Sequence, residues 1–497
     1  MNLSMKIKLI TLAFLSCLTI AGFAQQRSAK RGIGWDEKIV ALNANHMQLM
    51  QHGIDWVYNW GPDPMNADLF ASDSMSFAPM CWNGAYDEKR IRDFVKKHPE
   101  TRYLLGFNEP NFNAQANMSP ETAAKQWPRV EKLADELGLR LVGPALNFSG
   151  EVVGGRIWSP YEWLDEFLRI YPKARMDCLA LHCYMNWYSS TNWFVTEYIY
   201  KDLYDASKKD VYGKYPHLVA WLDECKAKNG SFPRMMLTEF CSWENDGTIT
   251  GLDFQLDQMT QKLQMLEQSD IVEGYAWFMA NGAASAYPYY SVFESNSPSS
   301  TLSTLGTVYV NLSSFDRNKF YAPDENVLAK DYVDATKDAQ QVKVRPNTDV
   351  GSTSPLQIEI PSSGWVEYQI DVPRDGRYKV SMHMCSSSDN KVALYVDGKR
   401  LITESLLSTA GEWGIREFDA DLKAGQHSVM FYNTSPSSIM MDEWKYDRHS
   451  GITDIITDDT DIMPEAIYDL NGCAVTGTPA TGIYVARCAG VSRMVRY

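Results

Sequence analysis

Two runs of this sequence set a carboxylate directly after a short apolar segment. Tyr103-Leu104-Leu105 leads into Gly106-Phe107-Asn108-Glu109-Pro110-Asn111, and Met235-Met236-Leu237 leads into Thr238-Glu239-Phe240. Two carboxyl groups facing each other across a cleft are what hydrolysis of a glycosidic bond requires. One, protonated, gives its proton to the leaving oxygen, and the other, ionised, attacks the anomeric carbon. Excluding water and bringing two acids together push their pKa values apart, so Glu109 and Glu239 can divide these tasks. Asn108 offers an amide that can donate to a sugar hydroxyl. In His182-Cys183-Tyr184, Tyr184 is placed to hydrogen-bond and orient the nucleophile, and His182 to contact a sugar hydroxyl or the acid. Trp277 is expected to floor the cleaved sugar. Trp60, Trp82, Trp187 and Trp243 stand at or just beyond other apolar runs. Two or three of these five indoles are expected to line a stacking cleft and the rest to belong to the core.

Such residues need elements that bring them to one place. From Arg31 to about Asn311 the chain alternates strand-like and helix-like segments. The predicted strands are Arg31–Trp35, Trp56–Trp60, Ser76–Trp82, Tyr103–Glu109, Leu141–Ala145, Cys178–Tyr184, Met235–Cys241 and Gly274–Phe278. Ser119-Pro120-Glu121 and Ser159-Pro160 read as helix starts, and Gly230 as the stop of a helix over His217–Asn229. Phe254–Gln268 carries apolar residues at helical spacing. Eight such alternations predict an α/β fold, a (β/α)8 TIM barrel, whose active site lies at the C-terminal strand ends. A doubly wound open sheet is the alternative, but no glycine-rich phosphate loop follows any strand. From about Val327 to Asp447, short alternating runs with turns such as Arg374-Asp375-Gly376 and Asp397-Gly398 predict an all-β sandwich. The expected organisation is a signal peptide at 1–24, a catalytic barrel at 25–318, a β-sandwich at 319–449 and a short β-rich tail at 450–497.

Composition narrows the partners. The net charge of -15 argues against nucleic acid and anionic membranes, which need basic patches, but not against a neutral polymer. The 15 Trp and 27 Tyr suit stacking on sugar rings. Lys6 and Lys8, the apolar Leu9–Phe23 and the small residues before Gln25 read as a secretory signal cleaved near Ala24, with lipidation at Cys17 as the alternative. A secreted, cell-surface or periplasmic protein of a Gram-negative bacterium is expected. No later apolar run is long enough to span a membrane. The cysteines beyond the signal show no CxxC pair, and the His lack HxxEH spacing, so no metal and no cofactor are expected. A GxSxG elbow and a P-loop are likewise absent.

With these residues in hand, the first region resembles glycoside hydrolase family 128. The carrying pieces are Trp56-Val57-Tyr58-Asn59-Trp60, Pro79-Met80-Cys81-Trp82, Leu104-Leu105-Gly106-Phe107-Asn108-Glu109-Pro110, Gly143-Pro144-Ala145, His182-Cys183-Tyr184, Thr238-Glu239-Phe240 and Ala276-Trp277-Phe278. The resemblance implies a retaining endo-β-1,3-glucanase, with Glu109 as acid/base, Glu239 as nucleophile and β-glucan as partner. A glycosidase on a mixed-linkage glucan or mannan, and a non-catalytic glycan-binding surface protein on the same fold, are the alternatives. Gly364-Trp365-Val366-Glu367-Tyr368, Asp375-Gly376-Arg377-Tyr378, Val396-Asp397-Gly398 and Ala424-Gly425-Gln426-His427 are similar to carbohydrate-binding modules of families 6 and 35. The run Ser438-Ile439-Met440-Met441-Asp442 departs from those modules, which often carry a ligand-binding Asn there. Ile467-Tyr468-Asp469-Leu470-Asn471-Gly472 and Gly482-Ile483-Tyr484-Val485 resemble a Bacteroidetes-type C-terminal sorting domain.

Overall fold

Eight short strands form one parallel sheet. They are β1 (Arg31–Gly34), β2 (Trp56–Tyr58), β3 (Ser76–Phe77), β4 (Tyr103–Leu105), β5 (Arg140–Leu146), β6 (Cys178–Cys183), β7 (Arg234–Phe240) and β8 (Val272–Trp277). Their spatial order is β3-β2-β1-β8-β7-β6-β5-β4, so each strand lies beside its neighbour in sequence. The sheet curls, and its two edges are linked by a parallel bridge between Met80 and Leu105. There the Leu105 amide donates to the Pro79 carbonyl at 2.9 Å and the Cys81 amide to the Leu105 carbonyl at 2.8 Å. The computed structural model describes residues 27–70, 75–243, 251–282 and 289–448, with 466–469, 473–476, 483–488 and 491–496 in the tail. The expected signal peptide and Cys17, and the tail residues Leu470, Asn471, Gly472 and Gly482, lie outside the described residues.

All eight expected strands occur, but most stop earlier than their apolar runs suggest. β4 ends at Leu105, four residues short of Glu109, and beyond it the chain keeps only isolated bonds to its neighbours. The Asn108 amide donates to Trp82 O and the Glu109 amide to Ala145 O, both at 2.9 Å. β7 instead runs through Glu239 to Phe240. The helices begin and end where side-chain chemistry dictates. Ser119 caps Pro120–Leu137, and Ser159 forms a reciprocal capping box with Glu162 at the start of Pro160–Ile170. Pro216–Asn229 stops at Gly230, whose φ of 78° is easiest for a residue without Cβ.

A buried cation joins the first strand to the last helix of this unit. Arg31 ion-pairs with Glu267 at 2.9 Å and donates to the carbonyls of Leu312 at 2.8 Å and Ser313 at 2.6 Å, beyond helix Thr304–Asn311. Tyr275 on β8 donates to the same glutamate.

The second region is β-rich. Lys343–Pro346, Leu356–Ile360, Ile439–Arg448, Gly376–Cys385 and Trp413–Leu422 form one antiparallel sheet, with Val327–Leu328 paired to Ile439–Arg448. Asp334–Ala335, Trp365–Val372, Gly425–Asn433, Asn390–Val396 and Lys399–Leu406 form another. The two sheets meet face to face. Trp444 of the first lies 5.1 Å from Tyr368 and 4.9 Å from Phe431 of the second, centroid to centroid. The tail contributes a three-stranded antiparallel sheet of Ala466–Tyr468, Ile483–Cys488 and Val491–Arg496.

The β-rich region docks on helix Leu252–Gln268, which follows β7. Gln261 Nε2 donates to Gln341 Oε1 at 2.5 Å, Gln264 Nε2 to Asp334 Oδ1 at 2.7 Å and Gln268 Nε2 to Val333 O at 2.5 Å. Arg345 bridges Asp253 and Asp257 at 3.0 and 2.9 Å. Apolar periodicity predicts this helix but not its fate: Gln255, Gln258, Gln261 and Gln264 are all buried. Among the described residues no helix is long and apolar enough to cross a membrane.

The Arg31 clasp generates a test. Arg31→Met leaves Glu267 buried without its cation, a change that costs about 3–5 kcal/mol. Urea unfolding followed by tryptophan fluorescence should show that loss, and an unchanged midpoint would refute the clasp.

Candidate active site

The C-terminal ends of β2, β4, β5, β6 and β7 converge on two buried carboxylates. Glu109 is 7% and Glu239 5% exposed, and an oxygen of each lies within 4.8 Å of the other. Both line an open cleft of about 1230 Å³. The register of β6 on β7 pairs His182 with Glu239 across a shift after Leu181, which brings the imidazole between the acids.

His182 is fully buried. Its Nδ1 lies 2.9 Å from Glu109 Oε1 and 3.3 Å from Glu239 Oε2, and its Nε2 lies 3.0 Å from Thr238 Oγ1. Burial alone would lower its pKa, but Glu239 and the hydrogen bond to Glu109 outweigh that and raise it. The doubly protonated ring, donating through both nitrogens, satisfies both contacts.

Glu239 is surrounded by donors. Trp60 Nε1 donates to Oε1 at 2.7 Å and Tyr184 OH donates to Oε2. Tyr58 OH lies 3.4 Å from Oε1 while donating to Thr238 O at 2.8 Å. Burial raises the Glu239 pKa; His182 opposes this, Glu109 adds to it, and the Tyr184 and Trp60 hydrogen bonds oppose it again. Burial and the Glu239 charge hold Tyr184 well above its ordinary value, so it stays a protonated donor. Glu109 Oε1 accepts from Asn147 Nδ2 at 3.2 Å as well as from His182. Its Oε2 has no partner among the described residues. Trp60 and Glu109 both adopt left-handed backbone, with φ of 60° and 43°. Non-glycine residues hold such angles at a cost of about 1–3 kcal/mol, which packing must offset. Gly34 leaves the room Trp60 needs, since a Cβ there would stand 2.9 Å from the indole.

The expected site residues divide into three groups. Glu109, Glu239, Asn108, Tyr184, Trp60, Trp82 and Trp243 line the cleft. His182 contacts the acids from beneath, so of its two expected partners it takes the acid. Asn108 donates to Gln115 Oε1 at 3.3 Å, and its Oδ1 is buried without a hydrogen bond. Trp277 and Trp187 stand elsewhere. Side chains alternate along β8, so Ala276 points inward and Trp277 outward into the core, where its Nε1 donates to Tyr290 O at 2.7 Å. The next residue, Phe278, reaches the cleft instead. Trp187 is 46% exposed, set edge-on against Phe254 outside the cleft lining. Sequence reasoning gave no role to Tyr58, Asn147 or Thr238. Asn147 carried the one usable signal, a polar residue directly after the apolar end of β5.

Linear spacing showed no metal motif, yet among the described residues space gathers two mixed clusters, Glu109 with His182 and Glu239, and Asp349 with His383 and Asp442. In the first, protein donors already occupy Glu239.

The raised pKa of Glu239 has a thermodynamic consequence. The folded carboxyl holds its proton to higher pH than the unfolded one, whose value is about 4.3. Stability is therefore greatest below that pH and falls as pH rises through the folded value. Glu239→Gln removes this loss. It should raise Tm near neutral pH, and the gain should vanish once the pH falls below the unfolded value. Calorimetry of both proteins across that range checks the sign.

A family model described as glycosyl hydrolase catalytic core matches residues 32–207 and 204–309, more than half of the chain. Among solved structures, the chain is similar to a family 128 (subgroup II) endo-β-1,3-glucanase from Pseudomonas viridiflava, at 31% identity over 58% of this chain and 99% of that one, with a TM-score of 0.44. A second, from Sorangium cellulosum, is 28% identical over 56% and 97%, with a TM-score of 0.41. A family 128 (subgroup V) exo-β-1,3-glucanase from Cryptococcus neoformans is 23% identical over 56% and 98%, with a TM-score of 0.39. A search of curated proteins returns no match. On the family match, this chain belongs to the glycosyl hydrolase catalytic core family.

Proposed function

We propose that the chain is a retaining glycoside hydrolase of β-1,3-glucan, with Glu239 as nucleophile and Glu109 as acid/base. The observation that carries this reading is that a carboxylate oxygen of Glu109 lies within 4.8 Å of one of Glu239. Retaining enzymes hold the pair about 5–5.5 Å apart, whereas inverting ones leave about 6.5–9.5 Å for a water. The proposal takes the curled sheet as a (β/α)8 barrel joined at Met80 and Leu105, residues 25–318 as the catalytic unit and the N-terminal segment as a secretion signal. The β-1,3 linkage is assigned from the motif resemblance.

Local donors favour this division of roles. The Trp60 N–H donates to Oε1 and the Tyr184 hydroxyl to Oε2, so both oxygens of Glu239 accept, as those of an ionised carboxylate do. Once Glu109 carries a proton its repulsion disappears, and His182, Tyr184 and Trp60 all favour ionised Glu239. In the first step Glu239 attacks the anomeric carbon. The bond to the leaving oxygen breaks as Glu109 transfers its proton there. In the second step Glu109, now a carboxylate, takes a proton from water, which attacks the same carbon and releases Glu239. One negative charge thus passes from Glu239 to Glu109, and His182 Nδ1 stays beside both.

Product analysis on linear β-1,3-glucan tests the assignment. Wild type should release oligosaccharides whose first-formed anomer is β by NMR. Glu109→Gln should lower the glucan rate about 10²–10⁴-fold yet spare formation of the glycosyl-enzyme from an activated aryl glycoside, and Glu239→Gln should abolish both. A first-formed α anomer would overturn the retaining mechanism. An inert wild type on this glucan, active on a mixed-linkage glucan, would move the substrate.

A further inference from the structure

We infer that Phe148 is the platform for the leaving sugar: an aromatic face against which the β-linked glucosyl unit released in the first step stacks. The inference rests on the glycosidase reading above and assigns a subsite within the same cleft.

Phe148 is 42% exposed and lines the cleft. A phenyl ring left in water forgoes the gain of burial, so its place in a binding cleft calls for a ligand with an apolar face. The carbon-bound hydrogens of a β-glucosyl ring present such a face.

The ring is also held in place. It packs on buried Phe194 at 4.9 Å between centroids and meets Tyr161 edge-on at 6.2 Å. Its own amide donates to Asn147 Oδ1 at 2.8 Å, and Asn111 Nδ2 donates to Asn147 O at 2.6 Å. Further along the loop, Glu151 Oε2 accepts from the Ala114 amide at 2.9 Å. The loop after β5 is thus pinned to the loop after β4, and a sugar binding here orders little that is not already ordered.

Position decides which sugar it takes. Phe148 directly follows Asn147, whose amide donates to Glu109. Glu109 gives its proton to the oxygen that departs with the leaving unit, so the wall beside it faces that unit. Trp60, Tyr184, Trp243 and Phe278 frame the other acid and the sugar that becomes bound to it.

The experiment uses the full chain and two substrates. One is β-1,3-linked glucohexaose, which places sugars on both sides of the cut. The other is 4-nitrophenyl β-laminaribioside, whose leaving group is not a sugar. Phe148→Ala should lower the ratio of kcat/KM for the hexasaccharide to kcat/KM for the aryl glycoside about ten-fold. Phe148→Trp should restore it. An unchanged ratio in Phe148→Ala, or equal losses on both substrates, would overturn the subsite. A wild type that hydrolyses neither substrate would remove the glucanase reading and the subsite with it.

Discussion

The site depends on how two carboxylates share a buried corner of the cleft. An oxygen of Glu109 lies within 4.8 Å of one of Glu239, both side chains are buried, and two full negative charges there would repel strongly. His182 resolves this by standing against both. Each surrounding strand end then supplies a donor to one acid or the other: Trp60 after β2, Asn147 after β5 and Tyr184 after β6. The lateral register of β6 on β7 sets the whole arrangement, because it seats His182 opposite Glu239. The left-handed turns at Trp60 and Glu109 show where the backbone bends to bring its groups inward.

Much of this was legible from residue order. Apolar runs interrupted by capped helices marked all eight parallel strands, and a glutamate at two strand ends marked the centre. The orientation of single side chains was not legible. Trp277 and Phe278 are both aromatic at the end of one strand, and only the phase of the pleat says which of them faces the cleft. Tyr58, Asn147 and Phe148 gain meaning from neighbours that the curl of the sheet brings together, distances no linear spacing encodes. In the β-rich region, polar and charged residues dilute the apolar alternation of Lys399–Leu406 and Trp413–Leu422.

The helix Leu252–Gln268 gives the same lesson from the other side. Leu256, Met259, Leu263 and Leu266 fill the expected apolar stripe. Its glutamines are nevertheless buried as well, against loop backbone and the β-rich region. A buried amide is tolerated when its hydrogen bonds are met, and here Ser242, Tyr188, Gln341, Asp334 and Val333 meet them.

This amide-rich seam bears on what happens when the junction opens. A junction sealed by a greasy face cannot be opened without exposing a surface that aggregates. Along this helix, separation would instead uncover glutamines and aspartates that water solvates readily. Opening the junction at these positions would therefore hydrate Gln261 and Gln264 rather than expose an apolar stripe.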